Sequence, residues 1–283
     1  MTFDELIEGS RLPRIEGRLL LAHLLRKDKT WLVGHGGEEA SADVCVQVET
    51  LFHDRRLGRP IAYLLGEREF YGRSFLVGPG VLIPRPETEL LVDWALEVLQ
   101  AKENADLNVL DLGCGSGCVG LTLALEARRL KLGVKQLTLT DLESRALAYA
   151  RDNAARLGVD TPGELKLQFL EGSWFQPVNP GRHYDLIVSN PPYIRADDEH
   201  LLQGDLRFEP PGALSSGASG LEDLSHIIAC APLFLKPKGQ LMLEHGFDQA
   251  ETVQALLFQH GYVDLKTQRD LAGHPRISGG IRP

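Results

Sequence analysis

Apolar and polar residues follow two different rhythms along the chain, and the change of rhythm divides it. In the first 60 residues apolar positions recur at helical spacing. Ile15, Leu19, Leu20, Ala22 and Leu24 approximate one face between Ile15 and Leu25, and Val44, Val48, Leu51 and Phe52 another between Ser41 and Leu57, with Ser41 as N-cap. These predict a small helical bundle, which Gly58-Arg59-Pro60 ends. The aromatic, β-favouring run from Glu69 to Val77 reads as a hairpin turning near Gly72, and a linker through Gly78-Pro79-Gly80 leads to Pro84-Arg85-Pro86.

From Glu87 onward, short apolar runs bounded by turn residues alternate with helical stretches. The runs lie at Asn108–Leu112, Gln136–Thr140, Leu165–Leu170, Asp185–Ser189, Gln240–Leu243 and Tyr262–Thr267, with helices such as Glu143–Leu157 and Leu221–Leu235 between them. Such alternation predicts βαβ units, hence an α/β fold with a mostly parallel sheet covered on both faces. The expected organisation is a helical domain over residues 1–68, a β-hairpin linker over 69–86 and the sheet domain over 87–283.

A hydrophobic fraction of 43% with 24% charged residues supplies an ordinary globular core and excludes a disordered or fibrous chain. The net charge of −9 is unevenly placed. Residues 1–83 carry 11 Lys/Arg and 12 Asp/Glu, which leaves 19 and 27, a net −8, for the remainder. An enzyme that grips duplex DNA gains affinity from clustered Lys/Arg, so this balance weighs against a nucleic-acid substrate. The four cysteines form no C-x-x-C pair and lack His at metal-ligand spacing, so reduced thiols are expected, with no metal site. The start has no basic-then-apolar leader, and no apolar run approaches the ~20 residues of a membrane helix, so the expected location is the cytoplasm.

In a sheet of this kind ligands bind beyond the carboxyl ends of the strands, and three signals fall there. The first is the strand Val109-Leu110-Asp111-Leu112 running into Gly113-Cys114-Gly115-Ser116-Gly117, where glycines let the backbone turn tightly and approach a ligand. The segment Gly115–Gly120 also satisfies the dinucleotide fingerprint G-x-G-x-x-G, so the turn alone leaves the ligand open. The second is Asp141, 24 residues after Gly117, either an acceptor for ribose hydroxyls or an N-cap for the helix near Glu143. The third is Asn190-Pro191-Pro192-Tyr193 at the end of a buried strand. Its prolines fix φ and force Asn190 towards extended geometry, a rigid arrangement for which nicotinamide chemistry has no use.

At these residues the sequence resembles the class I methyltransferases that use S-adenosylmethionine. The run Arg59–Gly66, the hairpin, Leu82-Ile83-Pro84-Arg85-Pro86-Glu87-Thr88-Glu89, Gly220-Leu221 and His274-Pro275-Arg276 extend the likeness over nearly the whole chain to the HemK family, the glutamine methyltransferases of peptide chain release factors. The resemblance implies a Rossmann-like class I sheet of about seven strands, with the N-terminal helical domain recognising a protein substrate. It implies S-adenosylmethionine as cofactor and, as substrate, the glutamine of the Gly-Gly-Gln motif in class 1 release factors, methylated on its side-chain amide nitrogen. It assigns Gly113, Cys114, Gly115, Ser116 and Gly117 to the cofactor loop, Asp141 to the ribose, Trp174 to the cofactor's aromatic neighbour, and Asn190, Pro191, Pro192 and Tyr193 to the substrate amide, with Asn190 also touching the cofactor. Catalysis would fall to Asn190, Pro191 and Tyr193. Trp174 also reads as a core aromatic at a strand end.

The tetrapeptide suits this chemistry. An amide nitrogen is a poor nucleophile because its lone pair is shared with the carbonyl. If the Asn190 side-chain oxygen and the Pro191 carbonyl accept its two N–H bonds, the nitrogen is fixed and its emerging positive charge stabilised. Tyr193 can lie against the amide plane. Arg55, Arg56 and Arg59 read most simply as a solvated helix end, with docking of the release factor as the alternative. Competing substrates are a glutamine of a large-subunit ribosomal protein and, from a basic target-recognition segment not visible here, adenine in DNA. A non-catalytic binding module is the reading from another class. A monomer without DNA or membrane contacts is expected.

Overall fold

Five short helices, α1 (Phe3–Gly9), α2 (Arg14–Leu25), α3 (Lys29–His35), α4 (Ala42–Arg56) and α5 (Ile61–Leu65), gather around one apolar cluster that buries Ile7, Leu20, Leu21, Leu32, Val48 and Phe52. Each fully buried side chain of this size contributes about 1.5–3 kcal/mol. Thr2, Asp28 and Ser41 cap α1, α3 and α4 by accepting the backbone N–H three residues on. The computed structural model describes residues 1–102, 106–159 and 165–283.

The hairpin pairs β1 (Glu67–Phe70) with β2 (Arg73–Leu76). Its two turn residues, Tyr71 and Gly72, both have positive φ, the backbone of a primed turn whose twist matches antiparallel strands. After a 3-10 turn at Pro86–Thr88, the chain alternates as α6 (Glu89–Gln100), β3 (Leu107–Leu112), α7 (Cys118–Arg129), β4 (Val134–Asp141), α8 (Ser144–Arg156), β5 (Lys166–Glu171) and β6 (Tyr184–Ser189). It then runs through α9 (Glu222–Cys230), β7 (Leu235–Glu244), α10 (Ala250–Gln259), β8 (Val263–Arg269) and β9 (Pro275–Ile281). The resulting seven-stranded sheet has the order β5-β4-β3-β6-β7-β9-β8. All pairs are parallel except those of β9 with β7 and β8.

Alternation along each strand splits the interior into two cores. Val109, Leu186, Val188 and Met242 face α6, α7 and α8, whereas Leu110, Leu112, Ile187, Leu241 and Leu243 face α9 and α10. The sheet agrees with the expected class and strand number, with two differences. The strand β9 carries Gly279 and Gly280 and no apolar run, so periodicity did not predict it. The helix expected over Leu221–Leu235 stops at Cys230, where Pro232 allows only a 3-10 turn before β7. Among the described residues no helix is long and apolar enough to cross a membrane.

The basic cluster departs from its expected role. Arg55 is largely buried, bonds Glu16 at 2.8 Å through Nε and reaches Asp205 at 2.9 Å through Nη1, so it ties α2 and α4 to the segment after β6. Arg56 bonds the Ser10 carbonyl at 2.9 Å and pairs with Glu49, and Arg59 pairs with Asp54 at 2.8 Å. Arg55 thus ties the helical bundle to the segment after β6 in place of a solvated helix end, whereas Arg56 and Arg59 pair within the bundle at its exposed surface. Arg55→Ala leaves the half-buried Glu16 carboxylate without its cation and is expected to destabilise the protein by about 1–3 kcal/mol. Urea unfolding checks this, and a variant as stable as the wild type would contradict the latch.

Candidate functional site

The strand order reverses between β3 and β6, since the chain builds outward from β3 to β5 and then returns to lay β6 on the other side. Such a switch point opens a crevice at the carboxyl ends of the two strands. A cavity of about 530 Å³ lies there. Gly113, Cys114, Gly115, Ser116, Asp141, Trp174, Asn190 and Pro192 line it, together with Arg85, Thr88, Asp111, Asp223 and the segment Pro210–Ala213. Of the residues singled out in the sequence, Gly117, Pro191 and Tyr193 lie outside this lining. Gly117 is the N-cap of α7, and Tyr193 is half-buried with its hydroxyl turned to Glu244.

The glycine turn leaves β3 with positive φ at Gly113, Gly115 and Gly117. At Gly113 a side chain would be strained by φ +66° and crowded as well, since a Cβ would stand 3.1 Å from the Trp174 ring. The turn is braced from behind by Asn153 of α8, fully buried, whose amide donates to the Ser116 carbonyl at 2.9 Å and the Leu76 carbonyl at 3.0 Å. One asparagine thus fixes the turn to the hairpin. Burial pushes the Cys114 thiol well above its ordinary value and the Cys118 thiol up to about 12, so both stay protonated at neutral pH.

Asp141 ends β4 and receives two backbone N–H groups, Gly115 on Oδ2 at 2.8 Å and Glu143 on Oδ1 at 2.9 Å. It is not the N-cap of α8, a position held by Glu143 without a side-chain bond. A carboxylate has about four acceptor sites, so Asp141 retains capacity for two hydroxyls of a ligand. Burial raises its pKa somewhat despite those donors. Trp174 has the uncommon φ of +45° and donates its indole N–H to Asp223 Oδ1 at 3.0 Å. It packs on the core and faces the cavity at once.

β6 is buried throughout and ends with the Ser189 hydroxyl donating to the Leu112 carbonyl at 2.7 Å, which joins the ends of β3 and β6. The next residue, Asn190, donates Nδ2–H to the Thr88 hydroxyl oxygen at 3.2 Å. The Tyr193 carbonyl is gripped by Gln249 Nε2 at 3.0 Å and sits so close to Gly220 that a Cβ there would come within 2.5 Å of it. Tyr193 donates its hydroxyl to Glu244 Oε1 at 3.3 Å. Opposite, Glu209, itself buried, accepts from the Ile83 N–H at 2.9 Å and pairs with Arg85, which fastens the Val81–Arg85 wall to the loop beyond Tyr193. Glu89 instead accepts the Tyr71 N–H at 2.8 Å, outside the cleft.

Thr88, Asn153, Asp223 and Glu244 escape sequence reasoning because each acts across a long chain separation. For Thr88 the one signal is its place in the Leu82–Glu89 segment already singled out for its family likeness. Among the described residues no group of His, Cys, Asp or Glu gathers as metal ligands. The donor set of the cleft suits a nucleoside with a sulfonium tail: a side-chain-free turn for close approach, a carboxylate for the ribose, and an indole face for a cation or a flat ring.

Comparison with known proteins agrees with the fold. Residues 88–205 match the family model described as methyltransferase small domain, and residues 4–66 match the PrmC N-terminal domain. A methyltransferase solved from Pyrococcus furiosus aligns with a TM-score of 0.51 at 18% identity, over 84% of this chain and 98% of that one. The T. thermophilus 16S rRNA N2 G1207 methyltransferase, in complex with AdoMet and guanosine, aligns with a TM-score of 0.51 at 17% identity, over 77% of this chain and 50% of that one. The matched domain and the fold are both those of methyltransferases. It is 45% identical over 98% of its length, and 97% of the relative's, to the release factor glutamine methyltransferase of Bordetella pertussis. The chain belongs to the release factor glutamine methyltransferase family.

Two buried carboxyls at the strand ends give the site a pH signature. Burial pushes Asp111 up to about 7 against the opposing Gly120 N–H, and pushes Glu244 up to about 7 against the Thr88 and Tyr193 hydroxyls. A carboxyl whose folded pKa exceeds its unfolded one disfavours the fold as pH rises above the unfolded value, and the cost levels off above the folded value. Asp111→Asn removes that term, so the variant should gain on the wild type by on the order of 2 kcal/mol between pH 5 and pH 8. Urea unfolding at the two pH values measures it, and an equal difference at both would contradict the assignment.

Proposed function

We propose that the protein transfers a methyl group from S-adenosylmethionine to the side-chain amide nitrogen of the glutamine in the Gly-Gly-Gln motif of class 1 release factors. The observation that carries this reading is the shared wall: Asn190, with the rigid prolines behind it, borders the same cavity as Gly113 and Asp141. A nucleoside seated over the glycine turn therefore brings its reactive group beside a holder for a planar amide. Near-full-length identity to the Bordetella pertussis enzyme supports the choice of substrate.

Gly113, Cys114, Gly115, Ser116 and Gly117 would form the loop around the cofactor, with Asp141 accepting ribose hydroxyls, Trp174 flanking the ring system and Asn190 in contact. When bound, S-adenosylmethionine supplies an electrophilic methyl on a sulfonium. The protein's part is positional. Asn190 Oδ1 and the Pro191 carbonyl accept the two N–H bonds of the substrate amide, Pro192 keeps their spacing, and Tyr193 lies against the amide plane. As the nitrogen gains positive charge its N–H bonds strengthen towards those two oxygens, so the transition state is held more tightly than the ground state. As the N–CH3 bond would form, the S–CH3 bond would break to leave a neutral thioether, and the N–H proton then lost, far more acidic than that of a neutral amide, would pass to solvent water, so no strong base is required.

Residues 1–68 would recognise the release factor, 69–86 link, and 87–283 carry the reaction. The protein would act as a monomer in the cytoplasm on a protein rather than on DNA, the choice of substrate being favoured by the net −8 of residues 84–283. Incubation with S-adenosylmethionine and a release factor should add the mass of one methylene at the Gly-Gly-Gln glutamine by peptide mass spectrometry. Modification of a ribosomal protein or of DNA instead would overturn the reading. Asn190→Ala should lower kcat by about 10²–10³-fold while the cofactor Kd stays within about tenfold; near-normal turnover would contradict the amide holder.

A further inference from the structure

Trp174 follows β5, which β4 separates from β3, so its loop leaves the sheet about 10 Å from the glycine turn. Its ring nevertheless reaches that turn, since a Cβ at Gly113 would stand 3.1 Å from Cζ3 and 3.5 Å from Cη2. The opposite end of the ring is held as well. Nε1–H donates to Asp223 Oδ1 at 3.0 Å, and the direction of this bond is fixed because an indole nitrogen only donates. Trp174, Gly113 and Asp223 all border the cavity, so the indole is held at both ends along its wall. The backbone does not favour this placement by itself. Trp174 has φ +45°, a conformation that a non-glycine residue keeps only where its surroundings over-determine it, and the residue is half-buried rather than enclosed.

Asp223 is a fixed anchor for the ring. It stands in the first turn of α9, whose Leu224, Ile227 and Ile228 are fully buried, and its own N–H donates to the Ser216 hydroxyl oxygen at 2.9 Å. Ser216, 2% exposed, donates its N–H to the Ile194 carbonyl at 2.9 Å and accepts the Gly220 N–H on its carbonyl at 2.8 Å. The anchor is thereby tied to the residue that follows Tyr193. We propose that Asp223 is the positioning residue of the cofactor site: it holds the Trp174 indole along the cleft before the cofactor arrives, so that S-adenosylmethionine meets a flat wall already in place and no side chain has to be ordered on binding. This rests on the reading of Trp174 as the flank of the cofactor's ring system. Because the anchor hangs from Ser216, the same strut sets the spacing between the cofactor wall and the tetrapeptide that begins at Asn190.

Calorimetric titration with S-adenosylhomocysteine tests this without a protein substrate, so its outcome is independent of which substrate is methylated. Asp223→Leu removes the acceptor, whereas Asp223→Asn keeps an Oδ1. The proposal expects Leu to weaken the Kd at least about tenfold and Asn to stay within about threefold of the wild type. In a Trp174→Ala background, itself weakened, Asp223→Leu should cost nothing further. Equal losses in both backgrounds would mean that residue 223 meets the cofactor directly, and that result, or no loss in the wild-type background, overturns the proposal. Unchanged affinity in Trp174→Ala would instead refute the reading of Trp174, and the proposal with it. The Trp174 indole N–H resonance, assigned by its loss in Trp174→Ala, gives a readout that needs no ligand. It should move upfield in Asp223→Leu and stay in Asp223→Asn, while the resonances of Trp31 and Trp94, which lie outside the cavity lining, keep their positions and report an intact fold. An unchanged Trp174 resonance in Asp223→Leu overturns the proposal.

Discussion

Because β3 and β6 run side by side in parallel, with Leu112 opposite Ser189, the glycine turn and the Asn-Pro-Pro-Tyr segment must leave the sheet at the same height, about 4.8 Å apart. The Ser189 hydroxyl bond to the Leu112 carbonyl closes the last rung of that pair. Everything chemical in the molecule hangs on this register. A slip by one residue would turn Asp111 and Val188 to the opposite faces and carry Asn190 away from Gly113. The two apolar cores, divided residue by residue between the faces of the sheet, make such a slip costly.

Around that fixed pair the fold uses buried polar side chains as braces. Asn153 holds the glycine turn to the hairpin, Glu209 with Arg85 holds the linker to the loop after Tyr193, and Arg55 holds the helical bundle to the same loop through Asp205. Each brace joins parts of the chain that hydrophobic packing alone would leave free to slide. The charge that they bury is matched, whereas Asp111 and Glu244 are carboxyls whose burial is only partly offset. Their cost falls at the strand ends, where a methyl-transfer site needs rigid acceptors and little water.

Much of this was legible in the sequence because buried parallel strands read as continuous apolar runs, and because glycine and proline at strand ends leave few conformations to choose from. The strand β9 was not, since Gly279 is required where a Cβ would come within 2.4 Å of the Leu241 carbonyl, and glycine gives no hydrophobic signal. Arg55 looked like part of a solvated helix end because its partners Glu16 and Asp205 lie far along the chain. The same reason hid Thr88 and Glu244. A motif names the asparagine, but its side-chain partner Thr88 lies 102 positions away.

Catalysis by position rather than by a strong base is the central claim, and it has a direct geometric test. A crystal structure with S-adenosylhomocysteine and a Gly-Gly-Gln peptide should place the glutamine amide nitrogen within about 3 Å of both Asn190 Oδ1 and the Pro191 carbonyl, facing the sulfur. An amide bound through its oxygen, or a nitrogen out of line with the sulfur, would contradict it.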